Sequence, residues 1–195
     1  MNHRFTDVGW AVKMFDNPAR AAWQKPAALI DALKIAPGAV VADLGAGTGY
    51  FLPHLVNATG PTGTVVALEV EPNLLGHIRE RAEKAGWSTV IPVLSSFDRP
   101  RVARASLDLA LMVDVYHHIN NRKVWMGQAL AALRPGGRFV VVDFKPGKLP
   151  VGPPEGHKLP AAQIKTEMVA AGFEFVEALD LLPHQNTLVF RRPAK

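Results

Sequence analysis

An apolar run that breaks into alternating glycines limits what this chain can fold into more than any other stretch. Val40-Val41-Ala42-Asp43-Leu44 has the β-branched and apolar character of a strand buried on both faces. Gly45-Ala46-Gly47-Thr48-Gly49 then interrupts it, and Tyr50-Phe51-Leu52-Pro53-His54-Leu55-Val56 continues as a helix. Pro53 fits that helix only in its first turn, where a missing N–H costs nothing, so the helix has to begin directly after the glycines. A glycine turn between strand and helix lets a ligand lie against bare backbone. It also stands at the carboxyl end of its strand, the end where open α/β sheets bind ligands.

Gly-x-Gly-x-Gly alone is also compatible with a tight loop that binds nothing. Thr64-Val65-Val66-Ala67-Leu68-Glu69-Val70 narrows the choice. It is a second buried-strand pattern, with an acid twenty positions after Gly49. A carboxylate there can accept hydrogen bonds from a ribose diol, which is why adenosine cofactors call for it.

The rest of the chain alternates strands and helices. Residues 1–38 form an arm ahead of the sheet, with a helix over roughly 27–35 ended by Pro37-Gly38. Trp10, Phe15 and Trp23 in this arm are candidates to wall a substrate or to fill core. Pro72 starts a helix that Gly86 stops. Thr89–Leu94 is a third strand, and Pro92 marks it as an edge or a strand start. Leu107–Val115 is a central strand, followed by Tyr116-His117-His118 and by a helix capped at Asn120 or Asn121. Arg134-Pro135-Gly136-Gly137 turns into strand Arg138–Phe144. The Pro/Gly-rich segment Lys145–His157 is long enough to be a lid or a substrate wall. A helix ending at Gly172 precedes strands 173–181 and 187–190. The linker between those two strands is of hairpin length, so the last strand is expected antiparallel. Right-handed crossovers make the remaining sheet parallel.

Composition closes off several function classes. No apolar run approaches the ~20 residues of a membrane span. Residues 1–20 are polar and mixed in charge, unlike a signal peptide. Without cysteine there is no disulfide, thiolate nucleophile or Cys-based metal site. That agrees with a reducing compartment, and a cytoplasmic location is expected. The net charge of +5 is spread over the chain, with Arg99, Arg101 and Arg104 the tightest group. A nucleic-acid footprint calls for a denser stripe interleaved with aromatics, so nucleic acid is not the expected partner. His54, His77, His157 and His184 are isolated, and no metal site is expected.

With these motifs assembled, the sequence resembles class I S-adenosylmethionine-dependent methyltransferases from about Ala39 to Phe190. The resemblance rests on Val41–Gly49, on Glu69, on Asp108–Asp114 and on Leu133-Arg134-Pro135-Gly136-Gly137-Arg138-Phe139. It implies an α/β, Rossmann-like fold with a mostly parallel seven-stranded sheet, an antiparallel last strand and helices on both faces. The domain would span 39–195 under the arm 1–38, forming one unit. The implied cofactor is S-adenosylmethionine. Gly45, Ala46, Gly47 and Gly49 would lie against its methionine part and ribose, and Asp43 would orient the loop and reach its amino group through water. Glu69 would hold the ribose hydroxyls, and Val70 would pack on adenine. The adenine amino group would meet a residue of Ser96-Phe97-Asp98, with Asp98 favoured. Asp114 and Tyr116 would line the methionine end.

The implied acceptor is a small molecule methylated at O, N or C. The Asn/Asp-Pro-Pro-aromatic signature of adenine and glutamine methylation is missing, since the chain reads Asp114-Val115-Tyr116-His117. Methyl transfer from a sulfonium needs alignment and water exclusion, plus a base where the acceptor arrives protonated. His117, His118 and Tyr116 are the catalytic candidates, because imidazoles titrate near neutrality. Three alternatives stay open: an RNA-modifying methyltransferase, a catalytically silent cofactor-binding interaction protein, and a nicotinamide dehydrogenase.

Overall fold

A computed structural model describes residues 6–194. Seven strands form one sheet in the order β3-β2-β1-β4-β5-β7-β6. They are β1 (Val40–Leu44), β2 (Thr64–Glu69), β3 (Val90–Leu94), β4 (Leu107–Val113), β5 (Leu133–Phe144), β6 (Glu174–Leu179) and β7 (Gln185–Arg191). Strands β1 to β5 pair in parallel, and β7 runs antiparallel to both β5 and β6. The short β6–β7 link folds the chain back so that β7 fills the gap between β5 and β6. This is the expected sheet, and of the two readings of Pro92 the edge strand holds: β3 lies at the sheet edge with Pro92 in its middle.

Helices cover both faces. The arm supplies α1 (Val8–Phe15), α2 (Arg20–Gln24) and α3 (Pro26–Ala32). The sheet crossovers supply α4 (Leu52–Thr59), α5 (Pro72–Ala85), α6 (Arg122–Ala132) and α7 (Ala161–Ala170). One core layer packs Leu29 and Leu33 of the arm, Leu52 and Leu55 of α4 and Ile78 of α5 against Val41, Val65, Leu109, Leu111 and Val140. The opposite layer packs Trp125 and Met126 of α6 and Ile164 and Met168 of α7 against Ala42, Ala110, Met112, Phe139 and Val141. The alternation of these residues along β1, β4 and β5 explains the apolar runs: each strand buries both of its faces.

Local signals act where they were expected. Pro53 lies in the first turn of α4, Pro72 opens α5, and Gly86 ends α5 in the left-handed region at φ 68°. Asn121, of the two candidates, caps α6 by accepting from Val124 N. Several boundaries differ. β4 ends at Val113 and not at Val115, and β6 and β7 are Glu174–Leu179 and Gln185–Arg191 where 173–181 and 187–190 were expected. The arm helix, Pro26–Ala32, starts one residue earlier and ends three residues earlier than expected. The Arg134–Gly137 turn is a bulge inside a longer β5: Leu133 pairs with Leu107, then pairing resumes at Arg138 with Leu109. Asp108 holds the bulge in place by accepting from Val40 N at 2.8 Å and from Arg134 Nη1.

This topology brings the ends of β1, β2, β4 and β5 to one rim. The arm crosses above it. Among the described residues no helix is long and apolar enough to cross a membrane, and no group of His, Cys, Asp and Glu is placed to hold a metal ion.

Candidate active site

The glycine turn follows β1 directly, and its three glycines serve different ends. Gly45 has φ 79°, and an added Cβ would meet Val115 Cγ2 at 2.5 Å. Gly49 has φ 81°, and its Cβ would meet Leu52 Cδ1 at 2.7 Å. These two are glycine because neighbouring side chains pack into their space. Gly47, at φ 59°, has among the described residues only the Phe15 ring nearby, at 3.5 Å from an added Cβ. It is therefore the position where bare backbone faces the space under the arm.

Glu69 ends β2 and reaches back to that turn. Its Oε2 accepts from Gly47 N at 2.8 Å, and its Oε1 accepts from Val70 N at 2.7 Å and Glu71 N at 3.0 Å. Burial pushes its pKa up, and the three backbone donors oppose that rise. The carboxylate thus fixes the turn, and three donors still leave lone-pair capacity for one more partner. The loop after β3 stands beside it, through Ser95 N donating to Glu69 O at 2.8 Å. Within that loop Ser96 Oγ donates to Asp98 Oδ1. Asp98 is exposed, Phe97 and Ser96 are half-buried, and Val70 sits half-buried at the β2 end.

Asp43 is 3% exposed, and its Oδ2 has no hydrogen-bond partner among the described residues. Burial, reinforced by Glu69 and opposed by Arg20, raises its pKa to about 7. A buried carboxylate oxygen without a donor is costly, and an incoming ammonium would satisfy it. Asp114 follows β4 in a left-handed conformation, φ 58°. Gln24 Nε2 donates to its Oδ2 at 3.1 Å, Gln185 donates to its Oδ1, and Arg20 Nη2 lies 3.6 Å away. Burial raises the Asp114 pKa to about 6, against the pull of Arg20. The rim therefore gathers Asp43, Glu69 and Asp114, expected from sequence, with Arg20, Gln24 and Gln185, which sequence reasoning missed. No local pattern marks the last three; Gln24 and Gln185 meet across 161 positions.

The arm is latched over the turn. Thr48 Oγ1 donates to Asp16 Oδ1 at 2.7 Å, while Arg81 Nη1 donates to Asp16 Oδ2 at 3.1 Å and to Thr48 O at 3.0 Å. Trp23, also of the arm, packs against Phe144 and His184 with ring centroids 5.7 and 6.3 Å apart. Beyond Phe144, the 145–158 segment is closed on itself: Gly147 N donates to Glu155 Oε1 and Lys158 Nζ donates to Gly147 O, both at 2.7 Å. Gly152 sits on the Phe144 ring so closely that a Cβ would lie 2.5 Å from it.

The three catalytic candidates separate. Tyr116-His117-His118 form a 3₁₀ turn, so their side chains fan out instead of alternating. Tyr116 is fully buried in the α6–α7 layer, and its hydroxyl donates to Glu167 Oε2 at 2.8 Å beside Arg122. It braces α7 and does not line the methionine end beside Asp114, which corrects the sequence expectation. His117 pairs with Asp143 of β5. Its Nδ1–H donates to Oδ1 at 2.8 Å, and its backbone N donates to Oδ2 at 3.1 Å. Phe144 N also donates to Asp143 Oδ1 at 2.8 Å. The Asp143 side chain is fully buried and that of His117 is 3% exposed. An acceptor-only carboxylate fixes the proton on Nδ1 and leaves the Nε2 lone pair available. His118 packs against His117 with ring centroids 4.0 Å apart and the rings tilted by 43°. Asp143 was missed, although a lone acid at the end of an apolar strand (Val140-Val141-Val142-Asp143) is a usable signal.

A parallel sheet closed by an antiparallel β7, a glycine turn tied to an acid one strand over, and a donor-starved carboxylate below the turn define a class I S-adenosylmethionine-dependent methyltransferase. The sequence profile of the methyltransferase domain family matches residues 42–139, and the chain belongs to that family. The ubiquinone/menaquinone biosynthesis C-methyltransferase UbiE of Brucella anthropi is 30% identical over 116 residues, which cover 59% of this chain and 44% of that one. An arsenite methyltransferase of Halobacterium salinarum is 28% identical over 109 residues, 56% of this chain and 28% of that one. The chain spans less than half the length of these curated relatives. A methyltransferase from Aquifex aeolicus, described as SAM-dependent, superposes with a TM-score of 0.90 at 20% identity, covering 96% of this chain and 99% of that one.

The residues present fit the cofactor: Gly47 would offer it bare backbone, the unpartnered Asp43 Oδ2 would accept from its ammonium, and Glu69 would accept from a ribose hydroxyl.

Proposed function

We propose that the protein methylates a small-molecule acceptor whose nucleophile arrives protonated, such as a phenol or quinol. The observation that carries this reading is the buried His117–Asp143 pair at the cofactor rim, three residues along the chain from Asp114. When bound, S-adenosylmethionine supplies an electrophilic methyl on a good leaving group. The chain then has to hold the acceptor, exclude water and take one proton. Nε2 of His117 accepts the proton from the acceptor hydroxyl, and Asp143 stabilises the imidazolium that results. Deprotonating a phenol makes both its oxygen and its ortho carbon nucleophilic, so the same pair serves O- or C-methylation. Trp23, half-buried and packed against Phe144 and His184, offers an aromatic face to a ring-shaped acceptor. The relative named for ubiquinone and menaquinone C-methylation agrees with such an acceptor.

A panel of acceptors with methyl-labelled cofactor tests this. Label is expected in phenols and hydroquinones, and not in the same rings with every hydroxyl already etherified. Transfer to the etherified rings at equal rate, or exclusively to RNA, would contradict it.

A further inference from the structure

Arg20 comes from the arm, outside the residues that match the family profile, yet it is one of the most enclosed charges at the rim, its side chain 13% exposed. Its guanidinium lies over the Tyr50 ring, 4.3 Å from the centroid. Nη1 donates to Phe15 O at 2.7 Å, and Nε donates to Gln24 Oε1. Nη2 faces Asp114 Oδ2 at 3.6 Å, too long for a good hydrogen bond. The group is thus aimed and stiffened from two sides, while its Nη2 edge has no short acceptor among the described residues. It interacts electrostatically with Asp43 as well as Asp114, so it stands within the field of the orphaned Asp43 oxygen.

An amino acid carries its ammonium and its carboxylate on one carbon. A site that offers a donor-starved carboxylate for the first and an underused guanidinium for the second is complementary to that pair. We propose that Arg20 reads the α-carboxylate of the cofactor's methionine part, making the arm a component of the binding site and not only its cover. This rests on the cofactor reading above. The planar fork suits a carboxylate held by two parallel N–H groups, which a lysine cannot reproduce. The Tyr50 ring and Phe15 carbonyl prevent the fork from rotating away. Because the Arg20 segment follows Asp16, the cofactor's carboxylate and the Asp16–Thr48–Arg81 latch would both hold the arm over Gly47.

Calorimetry with two ligands separates this role from a structural one. S-Adenosylhomocysteine has both charged groups, and its decarboxylated analogue keeps the ammonium and loses only the carboxylate. The wild-type protein is expected to bind the first at least 30-fold more tightly. Arg20→Gln and Arg20→Lys are expected to lose 30- to 100-fold for S-adenosylhomocysteine while changing less than threefold for the analogue. Equal losses for both ligands, or none for either, would overturn the proposal and leave the cofactor reading standing. A wild-type protein that binds neither ligand would overturn the cofactor reading itself. Should Arg20→Gln fold poorly, the wild-type ratio and Arg20→Lys still decide.

Discussion

Replacing His117 by alanine is expected to lower turnover on a protonated acceptor by roughly 10²- to 10⁴-fold, the span of a positioned general base. Binding of S-adenosylhomocysteine should stay within threefold, because His117 faces Asp143 and not the glycine turn. Asp143→Asn should cost less, about 10- to 100-fold, since it leaves the imidazole in place but no longer fixes the proton on Nδ1 or stabilises the imidazolium. An acceptor that is already ionised at the assay pH needs no base, and for it both variants should recover most of the wild-type rate. Steady-state kinetics across a series of phenols of graded acidity measures this directly. A constant loss across the series would mean that His117 shapes the pocket without moving a proton.

Asp43→Asn should separate stability from binding. A carboxylate pKa raised from 3.8 to about 7 means that the folded protein binds the proton more tightly than the unfolded chain. The stability tied to that proton is fully present below the unfolded value, near pH 4, and is lost as pH rises through about 7. At pH 8 the cofactor-free protein therefore carries a penalty of up to about 4 kcal/mol at this position. Asn removes the charge, so the variant should melt at higher temperature than wild type at pH 8 and show little difference near pH 4. Affinity moves the other way. Losing a charge-assisted contact to the ammonium should cost about 1.5–3 kcal/mol, or roughly 10- to 150-fold. Wild-type affinity should also fall as pH drops below about 7, while the variant's affinity stays flat. Melting curves and titrations at pH 5, 6, 7 and 8 provide both readings.

How much of this was legible in the sequence follows from the range of each signal. The Gly45–Gly49 turn, Pro53, Pro72, Gly86 and Pro92 act within a few residues of themselves, and each does in the fold what its chemistry implies. The strand directions follow from the α/β alternation together with the short β6–β7 link: β1 to β5 parallel, β7 antiparallel. Contacts between distant segments were not legible. Nothing near Arg20 or Gln24 announces Asp114, ninety positions on from Gln24. The resemblance implies that Tyr116 lines the methionine end, but the chain tightens after Val113 into a 3₁₀ turn that aims it at Glu167. The glycines were read as one cradle, whereas Gly45 and Gly49 make room for Val115 and Leu52, and Gly47 alone keeps its space.

The central claim is that the turn and the carboxylate of β2 form an adenosyl site for the methyl donor. Calorimetry of the wild-type protein and of Gly47→Val against S-adenosylhomocysteine and NAD, at pH 8, tests it most directly. A branched side chain at φ 59° is strained and fills the bare position. The expected result is saturable binding of S-adenosylhomocysteine to wild type, at least a 100-fold loss in Gly47→Val, and no heat from NAD with either protein. Saturable NAD binding, or S-adenosylhomocysteine binding that Gly47→Val leaves unchanged, would contradict the account.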